Sequence, residues 1–110
     1  MHPPRVVIVD YGLGNLFNVR KAFAAIGAEP VVTEETGEME KADALVLPGV
    51  GAFGDGMEGL RRRDFVLPIR DYAQSGKPLL GICLGMQLLM TESEEFGRHR
   101  GLGLGLEIRV

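Results

Sequence analysis

Apolar positions along the chain recur with two different periods. Arg5–Asp10 (RVVIVD) is an unbroken β-branched run. A run without alternation marks a strand covered on both faces. The period then changes: in Asn15–Ile26, Leu16, Val19, Phe23 and Ile26 fall at helical spacing, and Gly27 supplies a C-cap. Pro30–Thr33 predicts a short strand. Ala42–Leu47 (ADALVL) predicts another, closed by Pro48. Gly56–Arg63 predicts a short helix or turn, and Asp64 stands where it would cap a helix running to about Ser75. After a turn at Gly76–Pro78, Leu79–Ile82 predicts a strand and Leu84–Met90 the start of a helix. Alternating strands and helices predict an α/β fold: a mainly parallel sheet, helices on both faces, right-handed crossovers. No repeat, low-complexity segment or linker interrupts the pattern, and 110 residues suit a single domain.

Charge and cysteine usage narrow the function classes. Twelve basic residues against fifteen acidic ones give a net charge of −3. That balance offers no electrostatic footprint for nucleic acid or an anionic membrane. One cysteine cannot form an internal disulfide, which suits a reducing compartment. The apolar run near the N-terminus is too short for a signal peptide, and the stretch after Pro78 too short to span a bilayer. The expectation is a soluble cytoplasmic protein.

The 16 glycines cluster at Gly12–Gly14, Gly49–Gly59, Gly81–Gly85 and Gly97–Gly105. In parallel sheets ligands bind at the carboxyl ends of the strands. Three glycine-rich segments fall there: YGLGN after the first strand, PGVGAFGDG after Leu47, and CLG after Ile82. The last carries Cys83 in the order strand, G-x-C-x-G, helix, the form of a nucleophile elbow. A tight turn would lift the thiol off the strand end, and the dipole and free N–H groups of the following helix would favour the thiolate. The N–H of Leu84 could then face the oxygen of a tetrahedral intermediate, with the Val50 N–H in PGVG as second donor. By pattern alone, Cys83 fits equally well as a small apolar residue packed at a strand end.

Three blocks decide between these readings. PGVGAFGDGM and GICLGMQLL together resemble the class I (triad-type) glutamine amidotransferases. The opening IVDYGLGNLFNV is most similar to the family's glutaminase subunits of imidazole glycerol phosphate synthase, in histidine biosynthesis. The likeness runs from Val6 to about Leu104. It implies a flavodoxin-like layered domain of which residues 1–110 form the N-terminal portion, apparently incomplete at the C-terminus. It implies glutamine hydrolysis through a thioester on Cys83, with Leu84 and Val50 N–H groups as the oxyanion hole. Gly49, Gly51 and Gln87 would hold the glutamine substrate. It further implies a heterodimer with a cyclase subunit, a (β/α)8 barrel that receives the ammonia, and places Asn15 and Asn18 at that interface. No cofactor, metal or nucleic acid is implied.

The chain departs from the family in one respect. Members carry the triad His and Glu in a late H-x-E segment, and nothing here matches it; the only histidines are His2 and His99. The expectation is a chain that keeps the nucleophile without its base, from a truncated or frameshifted gene, and inactive alone. The alternatives are a class I amidotransferase serving another acceptor, and a non-catalytic fragment that docks on a partner.

Other features read more plainly. GLGNLF is half of a dinucleotide fingerprint, with Phe17 in place of the third glycine. Asn15 can serve simply as a helix N-cap. Arg61–Arg63 reads as a solvated helix face and His99 as a solvated loop histidine. Glu92, Glu94 and Glu95 read as a helix end, and Met86 and Met90 as core filling.

Overall fold

A computed structural model describes residues 2–104. Strand β1 (Arg5–Val9) lies at the centre. It pairs in parallel with β2 (Glu29–Thr33) on one side, Val7 opposite Val31, and with β3 (Ala44–Leu47) on the other, Val7 opposite Leu45. The strand β4 (Leu79–Gly81) adds outside β3, giving the order β2-β1-β3-β4. Val6–Val9 are all buried, as an unalternating run requires in a sheet covered on both faces.

The two faces are covered unequally. Val6, Ile8 and Val46 meet the half-buried side chains Leu16, Val19 and Phe23 of α1 (Leu16–Ala25). On the opposite face Val7, Val9, Leu45 and Leu47 form the main core. They pack against Met39 of α2 (Thr36–Glu40), Phe53, Met57 and Leu60 of α3 (Phe53–Arg62), and Ile69 and Tyr72 of α4 (Val66–Gln74). Leu84 and Leu88 of α5 (Leu84–Leu88) complete it. The α1 face has no second helix among the described residues, and Leu80 on β4 remains 49% exposed.

Several boundaries differ from the sequence expectation. Ile26 is 78% exposed, because it closes α1 as C-cap rather than continuing its buried face. The short helix α2 was not expected; its five residues carry only one buried side chain, too little for a periodic signal. The third helix begins at Phe53 instead of Gly56, through a glycine-rich stretch of low helix propensity. Asp64 makes no cap: it takes a positive φ of 56°, and Phe65 precedes α4 without a side-chain cap.

The largest miss follows α5, which ends at Leu88 rather than Met90. Residues predicted as a helix end form a small antiparallel hairpin, β5 (Glu92–Ser93) with β6 (His99–Arg100). The segment that follows β6 takes the free carbonyls at the end of α5: Leu102 N–H donates to Leu88 and Leu104 N–H to Leu89, both at 2.8 Å. Those bonds cap the helix by tertiary contact, which no local pattern announces. Met86 is 49% exposed, and so is not core filling.

Candidate active site

The order β2-β1-β3-β4 reverses direction between β1 and β3, and ligands in such sheets bind beyond the strand ends at that point. The three glycine-rich segments meet there. Gly14 lies against the Gly49 backbone, where a Cβ would stand 3.5 Å from the Gly49 Cα. Gly49 lies against Leu84 and Gly85.

Cys83 is the hinge between β4 and α5. Its backbone has φ 53° and ψ −119°, a conformation that non-glycine residues rarely adopt. Its side chain is exposed. The flanking glycines explain why the turn can be so sharp. A Cβ at Gly81 would overlap the Met86 backbone, and one at Gly85 would overlap the Leu47 carbonyl. The packed-residue reading of Cys83 is therefore set aside: the turn holds the side chain outward at a backbone cost of ~1–3 kcal/mol. Gln87 follows one helical turn later and is half-buried.

The segment Pro48–Ala52 faces this elbow. Pro48 and Gly49 are buried, while Val50 is 57% exposed and Gly51 turns at φ 110°. Here the geometry is not that of a formed oxyanion hole. The Leu84 N–H donates to the Gly49 carbonyl at 3.1 Å. A trans peptide directs its C=O and N–H oppositely, so the Val50 N–H points away from Leu84. Both donors could face one oxyanion only after the Gly49–Val50 peptide turns over.

The far end of the segment is held by a residue that the sequence placed elsewhere. The Glu95 carboxylate accepts the Phe53 N–H at 3.0 Å, at the start of α3. Glu94 is exposed on the same turn, and Glu92 accepts from Arg98 at 3.3 Å. His99 sits on β6 with its ring against Gly54, and its Nε2 is 3.2 Å from the Phe96 carbonyl. The packing on α3 makes it half-buried rather than a solvated loop histidine. Among the described residues, no hydrogen bond joins His2 or His99 to Cys83. No group of three or more His, Cys, Asp or Glu side chains there is placed to hold a metal ion. No described helix is long and apolar enough to cross a membrane.

The remaining candidates resolve locally. Asn15 is the N-cap of α1, its side chain accepting the Asn18 N–H at 3.2 Å. Asn15, Phe17 and Asn18 are all exposed at that helix start. Of the arginines, Arg62 pairs with Glu58 one turn away, and Arg61 donates to the Arg100 carbonyl at 3.1 Å.

An exposed cysteine raised at positive φ between a parallel strand and a helix, opposite a glycine-rich loop, has the geometry of a nucleophile elbow. Residues 7–100 match the glutamine amidotransferase class-I family, and the chain belongs to it.

Its relatives are more specific. The imidazole glycerol phosphate synthase subunit HisH of Sulfurimonas denitrificans is 56% identical over 99 residues, covering 90% of this chain and 48% of that protein. The HisH subunit of Symbiobacterium thermophilum is 56% identical over 106 residues, 96% of this chain and 50% of the relative. That of Aquifex aeolicus is 54% identical over 101 residues, with 91% and 49% covered. The chain thus spans about half the length of these curated relatives. A crystal structure of a glutamine amidotransferase superposes with a TM-score of 0.73 at 23% identity, covering 88% of this chain and 51% of that one. That likeness carries the fold alone.

Proposed function

We propose that residues 1–110 are the nucleophile-bearing N-terminal portion of a glutaminase subunit of imidazole glycerol phosphate synthase. The observation that carries this is the Cys83 elbow, at positive φ and exposed, in a chain more than half identical to HisH subunits. In this account the Cys83 thiolate attacks the side-chain carboxamide carbon of glutamine. A sulfur–carbon bond forms, the carbon–nitrogen bond breaks, and ammonia leaves with an added proton. Water then cleaves the γ-glutamyl thioester to glutamate and restores the thiol. Gly49, Gly51 and Gln87 surround the substrate, and Leu84 and Val50 N–H groups stabilise the oxyanion once the Gly49–Val50 peptide has turned. The base that moves the protons is the His-Glu pair of the family's late segment, to which no residue here corresponds. The partner is a cyclase subunit that receives the ammonia, and the exposed Asn15 and Asn18 at the start of α1 belong to the surface that meets it. The cytoplasm is the expected compartment.

A glutamine-derived chloroketone tests the site. It should alkylate Cys83 faster than iodoacetamide does, free glutamine should slow it, and Cys83→Ser should abolish it. Equal labelling by both reagents, in a folded chain, would refute a glutamine site at the elbow.

One observation favours a second reading, a non-catalytic chain that docks on a partner: the Leu84 N–H is already taken by Gly49. Both readings expect the isolated chain to release no glutamate from glutamine. They differ in the chloroketone selectivity.

A further inference from the structure

Tyr11 is a buried phenol for which the thioester chemistry has no use. It follows β1 in the YGLGN segment and is 1% exposed. Its hydroxyl donates to the Pro48 carbonyl, a bond buried from solvent. Proline has no N–H, so that carbonyl is the only backbone polar group of Pro48, and Tyr11 satisfies it. The same hydroxyl presses on the next residue, since a Cβ at Gly49 would overlap it. Gly14 adds a second contact, its Cβ position 3.6 Å from the Pro48 Cβ.

The YGLG segment is itself braced from behind. The Arg63 guanidinium lies over Gly12, 3.2 Å from where a Cβ would be, and donates to the Gly59 carbonyl at 3.3 Å. Gly59 in turn admits the Tyr11 carbonyl, which a Cβ there would approach to 2.7 Å. Burial holds the Tyr11 proton well above its ordinary range, so the group stays a donor at physiological pH.

Two consecutive carbonyls of the loop are therefore held by different partners, Pro48 by Tyr11 and Gly49 by Leu84. The first bond fixes the Pro48–Gly49 peptide. The second is the one that must break for the Gly49–Val50 peptide to turn.

We propose that Tyr11 is a positioning residue for the Pro48–Ala52 loop. It fixes the pivot about which the Gly49–Val50 peptide turns, and ties that pivot to the YGLGN segment. The role as an oxyanion loop rests on the glutaminase assignment. The pivot does not, and its test reads loop geometry rather than turnover.

Tyr72 provides the control. It is also buried, at 6% exposure, and its hydroxyl donates to a backbone carbonyl, that of Ala42 at 3.3 Å, before β3 rather than after it. Amide exchange is measured by NMR on the full chain, on Tyr11→Phe and on Tyr72→Phe, with the Leu84 N–H taken as a ratio to the Ile8 N–H. Tyr11→Phe should raise that ratio roughly five- to tenfold, the scale of one lost hydrogen bond, and Tyr72→Phe should leave it unchanged. An unmoved ratio in Tyr11→Phe, or an equal rise in both variants, overturns the proposal. Loss of the whole fold in Tyr11→Phe but not in Tyr72→Phe also overturns it, because Tyr11 would then govern the domain and not the loop. A second measurement uses coupling: Gly49→Ala should lower the urea midpoint less in the Tyr11→Phe background than in the unmodified chain, since the overlapping hydroxyl is gone. Strict additivity would contradict the contact.

Discussion

Cys83→Gly should make the protein more stable. At φ 53° and ψ −119°, the Cys83 backbone sits where the Cβ is crowded and glycine is free. Strain of this kind costs ~1–3 kcal/mol. Glycine removes the strain but widens the unfolded ensemble, which returns ~0.4–1 kcal/mol. The thiol is exposed, so its loss sacrifices little packing. The difference is a net gain of about 1 kcal/mol, within bounds of roughly zero and 2.5. For a chain of this length that corresponds to about 4 °C in Tm. Cys83→Ala keeps the Cβ and with it the strain, and should stay within about 0.5 kcal/mol of the parent. Urea and thermal unfolding by circular dichroism, in reductant and at one protein concentration, would compare the three. A glycine variant less stable than the alanine variant would refute the strain, and with it the claim that the fold spends stability to present this thiol.

Two other substitutions probe different parts of the account. Gly85→Ala adds a methyl group that overlaps the Leu47 carbonyl, so α5 must move off the end of β3. Overpacking of ~1–3 kcal/mol outweighs a helix-propensity gain of at most ~1 kcal/mol, so the urea midpoint should fall; a rise would contradict the tight crossing. Tyr11→Phe should flatten the alkaline limb of stability. Burial raises the Tyr11 phenol above its ordinary 10.0, and Tyr72 is raised by burial and by the Asp43 charge. Unfolded phenols ionise first, so the unfolded state binds fewer protons above pH 10 and stability falls there, by up to ~1.4 kcal/mol per pH unit for each tyrosine. Below about pH 9 these groups contribute no slope. An identical alkaline slope in Tyr11→Phe would show that the phenol is not buried as described.

The parallel sheet and the elbow were legible because each writes itself into a short contiguous stretch. RVVIVD can satisfy its apolar side chains only between two layers, and G-x-C-x-G after a strand leaves few alternatives to a sharp turn. The hairpin at Glu92–Arg100 was not legible. Its stability comes from Glu95 on the Phe53 N–H, His99 on Gly54 and the Leu102–Leu104 segment that caps α5, and all of these are long-range contacts. The direction of the Gly49–Val50 peptide was hidden for a related reason. PGVG permits either orientation, and the choice is made by the Leu84 N–H, more than thirty positions away. Tyr11 gave no signal as a donor, because an aromatic residue at a strand end looks like any core residue until its hydroxyl finds Pro48.

The central claim is that Cys83 is an exposed acceptor for γ-glutamyl groups in a stretch of chain with no counterpart of the family's late His-Glu pair. A γ-glutamyl p-nitrophenyl ester isolates that claim, because its leaving group departs without needing a proton. On mixing with the purified chain, the account predicts a burst of p-nitrophenolate of one equivalent per chain, a γ-glutamyl adduct on Cys83 by mass spectrometry, and neither in Cys83→Ser. A folded chain that gives no burst, or carries the adduct elsewhere than Cys83, would contradict it.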